Sequence, residues 1–134
     1  MRYFYRFMFG GAAYALIEVI FRGFTHFSMF IAGGACFCIL IKLAESDRLT
    51  FFGKCLAGGA AICAVEFVAG CIVNLWLRLG VWDYTRYGYH IWGQVCLRYF
   101  VIWCALSGAV IWCHGFAVRR GLLKPLQRER ERVD

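Results

Sequence analysis

The sequence predicts an all-α integral membrane four-helix bundle. Three observations predict it: 62% of the 134 residues are hydrophobic and 19% aromatic, proline occurs once, and the apolar residues gather into four long stretches. A soluble domain of this size cannot hide so much apolar surface in one core. A membrane span needs about 20 mostly apolar residues to cross roughly 30 Å of hydrocarbon. The four stretches run near Phe4–Phe21, Phe24–Ile41, Cys55–Leu77 and Gly93–Val118. They divide the chain into a four-span transmembrane domain, residues 1–118, and a basic cytoplasmic tail, residues 119–134.

The first span carries Arg6 near its start and Glu18 near its end, and no small-x-small cleavage site marks it as a removable signal peptide. Arg22-Gly23 predicts a tight helical hairpin into the second span, which Thr25, His26 and Ser28 open. AESDRLTFFGK is a short turn into the third span. The third and fourth spans are long enough to tilt. Between them LGVWDYTRYGYHIWG carries Trp82, Tyr84, Tyr87, Tyr89 and Trp92 in quick succession, as an interfacial aromatic belt would. Such a belt explains the rings but not Asp83, Arg86 and His90 among them.

Basic residues orient the bundle. Arg2, Arg6, Lys42, Arg48, Lys54, Arg119, Arg120, Lys124, Arg128, Arg130 and Arg132 fall on the side of the termini, and only Arg22, Arg78, Arg86 and Arg98 on the other. The positive-inside rule then puts both termini in the cytoplasm of a bacterial inner membrane. The tail concentrates six basic residues against three acidic ones, which gives it +3 of the net charge of +7. Contact with anionic lipid headgroups explains it, so membrane lipids are expected partners and nucleic acid is not. The eight cysteines lie almost entirely within spans, and none forms Cys-x-x-Cys. They read as small apolar residues, with no metal site and no cofactor expected.

Chemistry concentrates in two acids. Residues 10–18, GGAAYALIE, and 58–66, GGAAICAVE, share the phrase GGAA-x4-E, which places Glu18 and Glu66 inside spans. A carboxylate at the bilayer centre costs roughly 2.5–3.5 kcal/mol on insertion scales, so each is a candidate proton- or substrate-binding group. If the phrase marks a duplication, the fold is two parallel two-span repeats. Gly59, Cys63, Glu66, Gly70 and Asn74 form one helical stripe of small and polar residues. Gly11, Ala15, Glu18 and Arg22 form another, with Glu18 and Arg22 at i and i+4 in the favourable order for an ion pair. Gln94, Arg98, Ala105, Gly108 and Trp112 suggest a third. Turning all three inward predicts a polar centre of Glu18, Glu66, Arg22 and Arg98, with Asn74 beside it. Outside the spans, Trp82, Asp83 and Tyr84 are expected to clamp the external loop over the bundle mouth through an Asp83–Arg22 pair.

Arg22-Gly23-Phe24, Glu66 in VEFVAG, and WDYTRYGYHIWGQVCLRYFVIW together resemble the ABC-transporter permease family of small four-span bacterial membrane proteins (CmpB-like). The resemblance covers roughly residues 10–105, on Glu18, Arg22-Gly23-Phe24, Glu66, Trp82-Asp83-Tyr84, Gly93, Cys96-Leu97 and Trp103 in that order. His90 departs from the family's usual Asn, and THFSMFIAGG replaces its Gly-Pro-rich loop. The resemblance implies a permease-like transport protein or subunit. No G-x-x-x-x-G-K-[ST] is present, so ATP-driven transport would need a separate ATPase subunit docking at Ala44–Phe52 and the tail. Four spans leave little width for a substrate path, which favours a homo-oligomer packed through Gly33-Gly34 or Gly58-Gly59. Three other classes compete. A proton-coupled small multidrug antiporter shares the early Glu, and an oligomeric channel shares the carboxylates. A membrane enzyme acting on lipid headgroups through Asp83, His26 or His90 has less support, since no hydrolase motif accompanies them.

Overall fold

Four long helices carry the chain in the computed structural model, which describes residues 2–124. They are α1 Arg2–Arg22, α2 Phe27–Glu45, α3 Phe51–Gly70 and α4 Leu97–Arg119. A π-helical turn, Cys71–Trp76, extends α3 into a continuous apolar helix of 26 residues. All four are long and apolar enough to cross a membrane. Their outer faces are covered with apolar side chains such as Ile20, Phe21 and Trp76, as a hydrocarbon solvent demands. Arg6, Glu45 and His114 meet at one end, so the start of α1 lies beside the ends of α2 and α4. Both termini of the described chain therefore share one end of an antiparallel bundle, and the long loop closes the other.

Local chemistry sets the helix ends. Gly23 ends α1 in the left-handed region at φ 78°, its N–H returning 2.9 Å to the Val19 carbonyl. The next three residues are non-helical, and His26 Nδ1 caps α2 by accepting from the Ser28 N–H at 3.2 Å. The second helix therefore starts at Phe27 rather than at the predicted Phe24. Thr50 caps α3 through the Gly53 N–H at 3.2 Å. Span four also starts later than expected. His90–Ile91 (β1) pairs antiparallel with Val95–Cys96 (β2), with His90 opposite Cys96, so helix begins only at Leu97. Arg119 closes α4, and residues 125–134 of the predicted tail lie outside the described residues.

The duplicated phrase has a packing role in each half of the bundle. A Cβ built on Gly10 would strike the Phe37 side chain, and one on Gly33 the Tyr14 side chain. Gly11 and Gly34 are pressed in the same way by Phe30 and Phe7. In the second half, a Cβ on Gly58 would lie 2.6 Å from Ser107 Oγ, and Gly59 faces Cys104. Each glycine pair thus receives side chains from its hairpin partner, which brings the two helices close. This corrects the expectation that Gly33-Gly34 and Gly58-Gly59 are oligomer surfaces: both pairs are consumed within the chain. Two apolar clusters complete the core. Cys36, Leu40, Ile62 and Trp103 sit at mid-bundle, and Met29, Val73, Val81 and Trp82 seal the loop end.

Candidate functional site

Three polar assemblies occupy the loop-end half of the bundle. The first is local in sequence. Glu18 is buried, and its two oxygens accept from Arg22 Nη1 and Thr25 Oγ1, each at 2.8 Å. One helical turn separates Glu18 from Arg22, and the Gly23 stop turns the chain so that Thr25 comes back over the carboxylate. Arg22 also donates through Nη2 to the Val81 carbonyl and lies over the Phe24 ring, 4.6 Å from its centroid. The expected ion pair is present, and its second hand holds loop backbone.

The second assembly fastens the loop to α3. Asn74 Oδ1 accepts from the Val81 N–H at 2.7 Å, and its Nδ2 donates to Gln94 Oε1 at 2.8 Å. Gln94 is buried. It donates to the Trp92 carbonyl at 2.9 Å, while its own carbonyl accepts from Trp82 Nε1 at 3.1 Å. A Cβ on Gly70 would meet both Gln94 and Trp82, so the helix yields at that point to admit them. Asn74 is therefore positioned on loop backbone, away from both carboxylates' bonds.

The third assembly is the deep one. Glu66 is 2% exposed and lies ten residues before the end of the extended α3, roughly 15 Å at 1.5 Å per residue. Glu18 is only four residues, about 6 Å, from the end of α1. Glu66 Oε2 accepts from Trp103 Nε1 at 2.8 Å, and Oε1 from the Tyr14 hydroxyl at 3.4 Å. Among the described residues no cation lies within ion-pair distance of it. Rings lead outward from this carboxylate: Trp103 adjoins Tyr99 at 6.0 Å, and Tyr99 stacks on Tyr84 at 4.6 Å and 18°. Burial, and then the Glu66 charge, raise the Tyr84 phenol well above its ordinary value.

Two expectations about this end are corrected. Asp83 does not reach Arg22. It is exposed and accepts from the Thr85 N–H and hydroxyl, each at 2.9 Å, which holds its carboxyl below the usual range. The loop is clamped instead by Arg22 and Asn74 on Val81, with Trp82 buried and Tyr84 packed beneath. Arg98 also stays outside the polar centre. It is exposed and sits over the Tyr87 ring at 5.2 Å, because the β1–β2 hairpin resets the phase before α4 begins. The inward face of α4 is Trp103, Ser107, Gly108, Ile111 and His114, and Ala105 and Trp112 point outward.

Sequence reasoning missed Tyr14, Thr25 and Trp103 as partners of the acids. Tyr14 stands four residues before Glu18 on the same helical stripe, and that spacing could have placed it. Trp103 carried no local signal for its bond to Glu66. The three histidines all take hydrogen-bonding positions: His26 caps α2, His90 Nδ1 accepts from the Gly93 N–H, and His114 bonds Glu45.

Residues 4–129 match the family described as "Putative ABC-transporter type IV" (ABC_trans_CmpB), and the chain belongs to that family. With four membrane-crossing helices it is a multi-pass membrane transport protein. Neither the curated proteins nor the solved structures include a match to it.

Proposed function

We propose that this member of the ABC-transporter type IV family is a permease-like membrane subunit, and that Glu66 is the group its cargo or coupling proton meets. The observation that carries the reading is the state of Glu66: deep, almost fully enclosed, and bonded to two neutral donors with no ion-pair partner among the described residues. Intramembrane acids that serve only architecture are ordinarily paired with a cation, as Glu18 is with Arg22. An acid held by an indole and a phenol can instead accept a proton or a cationic group once either donor moves. Tyr14 is the donor placed to move. It belongs to α1, which packs chiefly on α2, and its 3.4 Å contact is at the limit of a hydrogen bond. Displacing α1 would uncover Glu66 towards the loop end, beneath Trp82 and Tyr84. Asn74, on the extension of α3, would keep Val81 and the mouth in shape while Arg22 moves with α1, and Arg98 would form part of its basic rim.

In this reading the termini lie in the cytoplasm of a bacterial inner membrane. A separate ATPase subunit docks there on the α2–α3 turn, and further copies of the chain widen the path. A channel would use Glu66 in the same way, whereas the small multidrug antiporter reading rests on Glu18, which is paired with Arg22, and energy source separates the readings. The test is proteoliposome flux with wild type and Glu66→Gln. Gln can still accept from Trp103, so the fold should persist, checked by the circular-dichroism melt, while flux is lost. Equal flux in both proteins would refute the role of Glu66. Flux that follows a proton gradient without a copurified ATPase would favour the antiporter.

A further inference from the structure

We propose that the bundle holds an anionic phospholipid at its termini end, with the phosphate on Arg6 and an acyl chain lying between α1 and α4. A groove of about 560 Å³ opens there, with α2 as its floor. That volume falls within the roughly 300–1,000 Å³ of ordinary ligand sites. Phe9, Phe37, Ile41, Ala109 and Val110 make its body apolar, while Arg6 and His114 stand at its head. In a bilayer such a cleft takes up hydrocarbon, because an empty one forfeits dispersion contacts along its whole length.

The head of the groove selects the kind of lipid. Arg6 Nη1 is shielded from solvent and has no hydrogen-bond partner. Its nearest carboxylate oxygen, Glu45 Oε1, is 3.9 Å away and already bonds His114 Nε2 at 3.1 Å. Arg6 lines the groove, so a turn of its side chain brings this spare donor from beneath the protein surface onto a phosphate at the groove's head, which the planar guanidinium matches. Arg6 also lies four residues from the start of α1, about 6 Å, which is headgroup depth when α1 spans the membrane. Charge agrees. Among the described residues that end carries Arg2, Arg6, Lys42, Arg48, Lys54, Arg119, Arg120 and Lys124 against Glu45 and Asp47. A net anionic headgroup fits this field, and a zwitterionic one fits it less well.

Native mass spectrometry of the full chain, released from detergent with phosphatidylglycerol or phosphatidylcholine, tests the site. Wild type should retain one phosphatidylglycerol in preference to phosphatidylcholine, and Arg6→Gln should weaken that retention by roughly tenfold or more. Ala109→Trp fills the groove from an exposed position and keeps Arg6, so it should lose lipid without loss of fold. Equal retention of the two lipids, or unchanged retention in both variants, would overturn the proposal. So would a dimer that Ala109→Trp splits, which would give the groove to a second copy. Lipid uptake that rises in the full-length Leu126→Asp chain would give it to residues 125–134, with the same consequence.

Discussion

Replacing Trp103 by Phe should separate the two donors that hold Glu66. Trp103 is 8% exposed and its indole N–H meets Glu66 Oε2 at 2.8 Å. Losing a hydrogen bond to a charged group costs about 1.5–3 kcal/mol, and the smaller ring leaves a cavity, so Trp103→Phe should destabilise by about 2–4 kcal/mol. Tyr14 donates at 3.4 Å, and Tyr14→Phe should cost about 0.5 kcal/mol or less. Glu66→Leu alone strands the indole donor. Combined with Trp103→Phe it leaves nothing unsatisfied on that side, so the pair should show a coupling energy of about 1.5–3 kcal/mol. Reversible unfolding by SDS in mixed micelles measures wild type and the four variants. Far-ultraviolet circular dichroism is the right readout, because a tryptophan is being changed. A coupling below about 0.5 kcal/mol, or equal costs for the Trp and Tyr changes, would refute the bonding described for Glu66.

The glycines should divide by location in the same unfolding assay. Gly33→Ala forces the new methyl onto Tyr14 and should cost about 1–3 kcal/mol, whereas Gly115→Ala meets nothing within 4 Å and should stabilise by up to about 1 kcal/mol. Asn74→Ala orphans the Val81 N–H and one bond of Gln94, so it should cost about 2–4 kcal/mol and expose residues 78–93 to limited proteolysis. Arg22→Gln leaves buried Glu18 without its cation and should cost on the order of 2 kcal/mol, between the values for exposed and buried pairs. Asp83→Asn should leave global stability unchanged. The Asp83 carboxyl titrates below its ordinary value in the folded loop, so its support for the Thr85 turn is present above the ordinary carboxylate range. That support should fade as pH falls through the lowered value, seen as faster amide exchange at Thr85.

What the sequence disclosed, and what it hid, follows from how local each interaction is. Spans are readable because a run of apolar residues depends on nothing elsewhere in the chain. The Glu18–Arg22 pair is readable for the same reason, since one helical turn determines it. The start of α4 was not, because Gln94 and Arg98 fit a helical period although Gln94 lies in the β1–β2 turn and the two residues of β2 separate it from α4. The glycine pairs announced close packing but not its partner, and the partner was the neighbouring helix rather than a second copy. Tyr14 and Glu66 stand 52 residues apart, and their meeting depends on the relative placement of two hairpins that no local pattern encodes. Asp83 is the most instructive case. Four arginines on its side made an ion pair look natural, but Thr85 offers two donors only two residues away, with almost no loop to close and no long side chain to order. Arg22, already paired with Glu18, then found its second acceptor in the Val81 carbonyl. A backbone oxygen is a partner that any residue could supply, so residue type cannot point to it.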